Sequence, residues 1–137
     1  MSGEFGDTSV AAAMLREPRL HRPDVTLVDL RDYFDDPHVH VALIVDDRGR
    51  LLTAIERADL TDLPASSGPA ADLGRLAGRT VAPEADVVAT RARMLVEQRR
   101  RLAVVDGSGA LLGLLALKRT GRGFCSDADV AARHPGA

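Results

Sequence analysis

The sequence predicts an α/β fold made of two diverged copies of one strand-helix-strand-strand unit. When the chain is shifted by 60 residues, the segment 45–52 (VDDRGRLL) aligns without a gap with 105–112 (VDGSGALL), and internal repetition of this kind decides the fold. Pro23 and Pro83 fall at the same offset, and each ends a short extended segment, because the residue before a proline is restricted to extended geometry. Each copy also contains two apolar runs joined by an Asp-containing turn that ends in glycine, which is typical of a β-hairpin.

The strands and helices of the two copies are predicted at matching positions. The expected extended segments are 19–22, 41–45 and 51–55 in the first copy, and 79–82, 102–105 and 111–115 in the second. Thr26 can cap the first helix, with Asp29 completing an imperfect capping box. The expected buried faces, from helical spacing, are Leu27, Leu30 and Phe34 in the first copy and Val88, Ala92 and Leu95 in the second.

Composition limits the class of protein. The 137 residues suit one globule, and their net charge of −2, from 18 basic and 20 acidic side chains, offers no attraction to nucleic acid or to anionic membranes. The apolar runs are shorter than the roughly 20 residues that cross a bilayer. With one cysteine and no visible signal peptide, a cytoplasmic protein is expected.

The units and their boundaries follow from the repeat. The predicted organisation is repeat 1 at 8–62, a Pro/Ser/Gly-containing linker at 63–70, repeat 2 at 71–119 and a C-terminal helical tail at 120–137. A short helix is expected to lead into each repeat, at 9–15 and 71–77.

The tail is expected to dock rather than to remain free. Ser126 can begin a helix that runs to Ala132. Phe124 is expected to pack, and Cys125 is expected to be a buried small apolar side chain rather than a redox sensor.

The order of these elements carries a family resemblance. The doubled Val-Asp and glycine turn, followed in the first copy by Glu56-Arg57-Ala58-Asp59, resembles the cystathionine-β-synthase-type (CBS) domain over about residues 8–119. The resemblance implies a tandem CBS-domain pair related by a pseudo-twofold axis, in which each copy is a small mixed sheet with flanking helices. It also implies two clefts between the copies, which often bind adenosine-containing ligands, and frequent pairing of two chains.

The family's ligand signature is a glycine, two apolar residues, a Thr or Ser, two variable positions and an Asp. In the first copy Asp59 occupies the position that implies a ribose ligand, and a carboxylate can accept both hydrogen bonds of a diol. Glu56 replaces the hydroxyl and would repel a phosphate, so a neutral nucleoside is expected there rather than AMP. The alternative for Asp59 is a surface carboxylate at the start of a short helix. By analogy the adenine side would be lined by Leu20, His21, Thr26, Val41, Ala42 and Ile55.

The second copy departs further from the signature. Gly113 is present, but Ala116 and Arg119 stand where the Thr and Asp belong. Lys118 and Arg119 follow the last strand, and Arg101 ends a run of three arginines before the preceding strand. These cations could hold an anionic ligand, although a solvated helix end, where cations offset the dipoles of the terminal carbonyls, explains them as well.

Two functional classes remain open. The first is a regulatory sensor of a nucleoside or nucleotide, acting on an effector protein that the sequence does not name; the second is a dimeric interaction scaffold with degenerate clefts. No enzyme is expected, since Ser108 lies in a turn without a nucleophile-elbow motif. His38 and His40 could bind a divalent metal, but without a further histidine or cysteine nearby a solvated loop is expected, and no cofactor is required.

Overall fold

The computed structural model describes residues 9–61 and 70–125. The elements, in chain order, are α1 (Val10–Ala13), β1 (Leu20–His21), α2 (Leu27–Tyr33), β2 (Val41–Val45), β3 (Leu51–Glu56), a first 3₁₀ turn (Arg57–Leu60), a second 3₁₀ turn (Ala71–Leu73), β4 (Thr80–Val81), α3 (Val87–Glu97), β5 (Arg101–Val105) and β6 (Leu111–Ala116). Most of the predicted linker, and the predicted helix after Ser126, lie outside the described residues. None of the described helices has the length and apolar character that crossing a bilayer requires.

The strands form two three-stranded sheets of identical topology. Their orders are β1-β2-β3 and β4-β5-β6, and in each sheet the first pair is parallel and the second antiparallel. All six strand boundaries of the first sheet recur 60 positions later in the second. Even the register irregularity recurs, between Ile44 and Val45 and between Val104 and Val105. The predicted α/β fold of two like units is therefore confirmed.

The two hairpins join each other through a reciprocal pair of hydrogen bonds. The Leu51 N–H donates to the Gly109 carbonyl and the Leu111 N–H donates to the Gly49 carbonyl, both at 3.0 Å. Gly49 and Gly109 have φ of 80° and 88°, a conformation that favours glycine. The exchange of equivalent bonds is the signature of a local twofold axis between the repeats.

The apolar side chains form a central cluster between the sheets and one outer cluster under each helix. In α2 the predicted face is confirmed, because Leu27, Leu30 and Phe34 are all buried. Thr26 and Asp29 complete the capping box reciprocally, as the Asp29 N–H donates to the Thr26 hydroxyl at 3.1 Å.

The predicted buried face of α3 was wrong. Val88 is 66% exposed and Leu95 is 45% exposed, and Ala92 is also exposed. The helix buries Thr90 and Met94 instead. Burial of Thr90 is tolerated because its hydroxyl donates to the Asp86 carbonyl at 2.8 Å, which satisfies the polar group.

The segments that lead into the repeats cross over. The Leu15 N–H, which follows α1, donates to the Leu114 carbonyl of β6 at 2.7 Å. The Arg75 N–H, which follows the second 3₁₀ turn, donates to the Ala54 carbonyl of β3 at 3.1 Å. Each half therefore contributes an edge contact to the sheet of the other half. Of the two predicted lead helices, the first is a single turn of α-helix and the second is only a 3₁₀ turn.

The chain folds back after β6. Leu117 forms an antiparallel bridge with Phe124, and the Cys125 N–H donates to the Ala116 carbonyl at 2.7 Å. Cys125 is 5% exposed in the central cluster, and Phe124 packs against the outer cluster under α3. The predicted packing of both side chains is confirmed.

The crossover predicts which glycines resist substitution. A Cβ at Gly113 would collide with the Leu15 carbonyl oxygen and lie 2.6 Å from the Met14 sulfur, and a Cβ at Gly74 would lie 2.5 Å from the Ala54 carbonyl oxygen. We expect Gly113→Ala and Gly74→Ala each to lower the free energy of unfolding by about 1–3 kcal/mol, because close-packed backbone cannot yield cheaply.

Urea denaturation measures this loss, with Gly107→Ala as the matched control. A Cβ at Gly107 meets nothing within 4 Å, so its effect should stay within about 0.5 kcal/mol. Equal stability of Gly113→Ala and Gly107→Ala would contradict the contact between β6 and the residues that follow α1, Met14 and Leu15.

Candidate functional site

The end of β3 forms a cross-repeat cluster of charges, which we call the Asp59 site: Glu56, Asp59, Arg79 and Arg99. Asp59 accepts two hydrogen bonds from Arg79, at 2.6 Å to Nη1 and 3.0 Å to Nη2. The guanidinium is 3% exposed and the carboxylate 16% exposed. This is a bidentate, nearly buried ion pair, the strongest geometry available to these groups.

The local fold aims Asp59 at this position. The first 3₁₀ turn begins after Glu56, and the Glu56 N–H donates to the Asp59 carboxylate at 2.8 Å. Arg79 lies just before β4 and also donates to the Ala54 carbonyl at 2.7 Å. The ion pair therefore ties β3 of the first repeat to the entry of the second.

Glu56 is neutralised by arginines as well. Arg99 Nε lies 2.6 Å from Glu56 Oε2, and Arg79 Nη2 lies 3.4 Å from Glu56 Oε1. Arg99 also contacts Glu97 at 2.9 Å. The repulsion of phosphate expected from Glu56 is thus offset by two adjacent cations.

The protonation of the cluster follows from these contacts. Burial on its own would raise the pKa of Asp59, but the hydrogen bonds from Arg79 and from the Glu56 N–H, with the Arg79 charge, lower it overall. The hydrogen bond to Glu56 raises the pKa of Arg99 against its desolvation. Asp59 is therefore ionised at neutral pH, and both of its oxygens already accept hydrogen bonds from Arg79.

The residues predicted by analogy to line the adenine side occupy several environments. Ala42 and Ile55 are fully buried against α2, and Val41 belongs to the central cluster. Thr26 caps α2. Leu20 is 48% exposed and His21 half-buried. Asp59 itself accepts hydrogen bonds from Arg79 of the second repeat and from the Glu56 N–H of the first.

His21 belongs to a second cluster, which we call the Tyr33 site: Arg19, His21, Tyr33, His40 and Arg101. The His21 and Tyr33 rings meet edge to face, with centroids 4.5 Å apart. The Arg19 guanidinium lies over the Tyr33 ring, 5.8 Å from its centroid, within the range of a cation–π contact. All three side chains belong to the first repeat.

Arg101, from the second repeat, adds positive charge to the surroundings of Tyr33 and His40. Burial lowers the pKa of His40 to about 4, with further lowering by the charges of Arg101 and Arg100. Burial raises the pKa of Tyr33, while Arg19 and Arg101 lower it and Asp36 raises it. His40 is therefore neutral at pH 7, in a region where positive charge from both repeats predominates.

The members of the predicted cationic group differ in their exposure to solvent. Arg101 is 8% exposed and its Nη1 donates to the Arg100 carbonyl at 3.1 Å. Lys118 and Arg119 are exposed in a turn that the Gly121 N–H closes on the Lys118 carbonyl at 2.8 Å. Sequence reasoning missed Arg19 and Tyr33, although Tyr33 is the only tyrosine and could have been singled out.

The loop before β2 is held by protein groups. Arg57 donates to the carbonyls of Phe34, Asp36 and Val39, and the His38 N–H donates to the Asp36 carboxylate at 2.9 Å. Within residues 9–61 and 70–125, no three His, Cys, Asp or Glu side chains are grouped so that they could hold a metal ion.

Solved structures resemble this chain over most of its length. The AMP complex of CBSX2 has 22% identity and a TM-score of 0.67, covering 83% of this chain and 92% of that one. The cystathionine beta-synthase pair domain of a Shewanella oneidensis protein has 17% identity and a TM-score of 0.70, covering 96% and 77%. The cytosolic domain of the Mg²⁺ channel MgtE, in complex with ATP, has 19% identity and a TM-score of 0.65. That match covers 81% of this chain, which spans about half (46%) of the MgtE domain.

No protein-family model and no curated protein sequence matches the chain. The similarity is therefore one of fold.

The Asp59 site predicts a large effect of removing Arg79. In Arg79→Met, Asp59 and the Ala54 carbonyl lose their buried donors, so we expect the free energy of unfolding at pH 7 to fall by about 3–5 kcal/mol. Arg22→Met is the control, because Arg22 pairs with Asp47 while its side chain is 57% exposed, and it should cost less than about 1 kcal/mol. Chemical denaturation of both variants measures the difference, and equal losses would contradict a structural role for Arg79.

The lowered pKa of Asp59 predicts a pH dependence. Since the folded pKa lies below the ordinary value of 3.8, the stabilisation is complete above that value and is lost as the pH falls through the folded pKa. Asp59→Asn should therefore be less stable than the parent at pH 6, and the gap should narrow towards pH 3. Urea unfolding across this range measures the gap, and a constant gap would show that Asp59 is not the titrating group.

Proposed function

The chain has the tandem CBS-domain fold, and on that premise we propose that it is a regulatory module that senses an adenosine-containing ligand in a cleft between its two repeats. The observation that carries the proposal is the difference in charge between the Asp59 site and the Tyr33 site, although both lie in a duplicated fold. In the Asp59 site the carboxylates and arginines of the chain pair with each other, whereas in the Tyr33 site two half-buried rings lie among positive charges from both repeats.

The chemistry of the Tyr33 site suits an anionic nucleotide. An adenine ring can pack on His21 and Tyr33, since aromatic faces accept a base with little dependence on its hydrogen-bonding edges. Arg19 and Arg101 supply charge for a phosphate. The AMP and ATP complexes of similar folds support this class of ligand.

The nucleoside preference expected for the Asp59 site depended on an unpaired Glu56. Because Arg99 and Arg79 offset that charge and Asp59 is engaged on both oxygens, the contacts favour the Tyr33 site as the ligand cleft. An anion there would contact cations of both repeats, so its binding would favour one relative position of the repeats over others. That coupling is our proposed means of signalling to an effector protein.

The proposal includes pairing of two chains, action in the cytoplasm and no catalytic reaction. A second candidate is an interaction scaffold whose clefts bind no ligand. The ion pairs that fill the Asp59 site favour it, because they stabilise the contact between repeats without any small molecule.

Thermal-shift and calorimetric titrations with adenosine, AMP and ATP test the sensor. We expect AMP and ATP to raise the melting temperature more than adenosine does, because Arg19 and Arg101 supply positive charge for their phosphates. A ligand at 100 times its dissociation constant stabilises the native state by about 2.7 kcal/mol. Arg19→Met and Arg101→Met should each weaken AMP binding at least tenfold. Arg48→Met, in the exposed turn at the far end of β2, is the matched control and should bind normally.

The imidazole of His40 reports on the same site independently. Its pKa of about 4 should rise when AMP is bound, because a nearby anion stabilises the protonated ring, and should rise less with adenosine; a pH titration of its NMR signals measures the shift. AMP binding that leaves His40 unchanged and is lost in Arg79→Met would assign the ligand to the Asp59 site. If none of the three compounds binds, the scaffold replaces the sensor.

A further inference from the structure

A small cavity lies in the first repeat, between the C-terminal end of α2 and the first 3₁₀ turn. Its volume is about 290 Å³, and the residues that line it, which we call the Arg57 cavity, are Arg31, Phe34, Asp35, Arg57, Leu60 and Thr61. None of these residues belongs to the Asp59 site or to the Tyr33 site. Pockets for small molecules begin at roughly 300 Å³, so the Arg57 cavity suits a ligand at the small end of that range.

The cavity has an apolar floor and a charged rim. Phe34 is 3% and Leu60 is 7% exposed, and both belong to the outer cluster under α2. Arg57 and Asp35 are exposed, and Arg31 is half-buried. A molecule in the cavity therefore meets an apolar surface on one side and charges of both signs on the other.

The guanidinium of Arg57 is fixed in place by neutral groups. It donates to the carbonyls of Phe34, Asp36 and Val39 and lies over the Phe34 ring, 5.3 Å from the centroid. A guanidinium carries five N–H donors, so these contacts leave donors for a ligand. Among the ion pairs of residues 9–61 and 70–125, none includes Arg57 or Asp35. The cavity thus presents a preorganised cation and a carboxylate that are not paired with each other.

The second repeat closes the equivalent place with its own chain. Sixty positions after Asp35 and Arg57 stand Leu95 and Leu117. The turn at Gly121 packs closely there, since a Cβ at Gly121 would lie 3.1 Å from Leu95 Cδ2. The repeat unit therefore folds with leucines at both positions, and its fold does not require the charges of the Arg57 cavity.

We propose that the Arg57 cavity binds a small zwitterion, namely a free amino acid with an aliphatic side chain. The ligand carboxylate accepts hydrogen bonds from Arg57 and Arg31, because guanidinium groups match the geometry of carboxylates. The ligand ammonium pairs with Asp35, and its aliphatic side chain packs on Phe34 and on the neighbouring apolar floor. The site is separate from the nucleotide cleft of the proposed function.

Asp35 decides between a zwitterion and a simple anion. A phosphate or a carboxylate without an ammonium group would be drawn to the arginines but repelled by the Asp35 carboxylate. In an α-amino acid the ammonium lies next to the carboxylate, so the same Asp35 charge attracts the ligand. The mixture of charges on the rim therefore favours a ligand that carries both signs.

An NMR titration of the ¹⁵N-labelled full chain tests the site, with L-leucine, L-isoleucine and L-valine as separate probes. At least one of them should shift the amide signals of Phe34 and Thr61 saturably, with a dissociation constant on the order of 1 mM. The amide and the N-acetyl derivative of that amino acid should each bind at least tenfold more weakly, because each lacks one of the two charges. Failure of all three probes, or equal binding of either derivative, would overturn the proposal.

A substitution at Asp35 gives a result with opposite signs for two ligands. Asp35→Asn should weaken binding of the amino acid at least fivefold and should strengthen binding of its N-acetyl derivative, because the carboxylate attracts the first and repels the second. Asp32→Asn is the matched control, since Asp32 is also exposed on α2 but does not line the cavity. Weaker binding of both ligands in Asp35→Asn, or an equal effect of Asp32→Asn, would contradict an ammonium contact at Asp35.

The nucleotide proposal and this one fail separately. Arg101→Met, which should lose AMP binding, should bind the amino acid like the parent, and Asp35→Asn should bind AMP within twofold of the parent. Loss of amino-acid binding in Arg101→Met would place that ligand in the Tyr33 site and overturn the assignment to the Arg57 cavity. A parent that binds the amino acid but no nucleotide would remove the sensor and keep this site.

Discussion

The buried guanidinium of Arg79 is the constraint on which the arrangement of the repeats depends. At 3% exposure it cannot be solvated, so it must find acceptors inside the protein. It finds them in Asp59 and the Ala54 carbonyl, both in the other repeat. The contacts that hold the repeats together therefore engage both oxygens of the carboxylate that the family resemblance assigns to a ligand.

Duplication explains the backbone of this molecule and divergence explains its chemistry. Backbone hydrogen bonds recur at equivalent positions, as between Leu51 and Gly109 and between Leu111 and Gly49, because main-chain geometry does not depend on side-chain identity. The side chains at equivalent positions, by contrast, can differ between the repeats. Arg79 and Asp59 correspond in the repeat to Arg19 and Arg119, a pair of like charges that cannot form an ion pair. One duplicated framework thus yields a self-neutralised site and a site with excess positive charge.

The strands, the hairpin turns and the α2 face could be predicted from sequence because each depends on neighbours within one repeat. The α3 face could not, because the spacing of Val88 and Leu95 places them on one side of a helix without specifying whether that side is buried or exposed. Burial of Thr90 depends on its hydroxyl reaching the Asp86 carbonyl, which apolar periodicity does not encode. Asp59 was identified, but its partner Arg79 lies 20 residues away in the other repeat, and nothing in the local pattern specifies that pairing.

The unequal clusters also bear on how a two-repeat module could respond to a ligand. The Asp59 site holds one side of the repeat interface by ion pairs of the chain itself, which no ligand has to supply. On the Tyr33 side Arg19 and Arg101 belong to different repeats, and both carry the same sign of charge. Repulsion between the two guanidinium groups disfavours their close approach. An anion bound between them would attract both groups. Under the proposed function, an anion at the Tyr33 site would therefore favour one relative position of the repeats, while the ion pairs of the Asp59 site hold the other side.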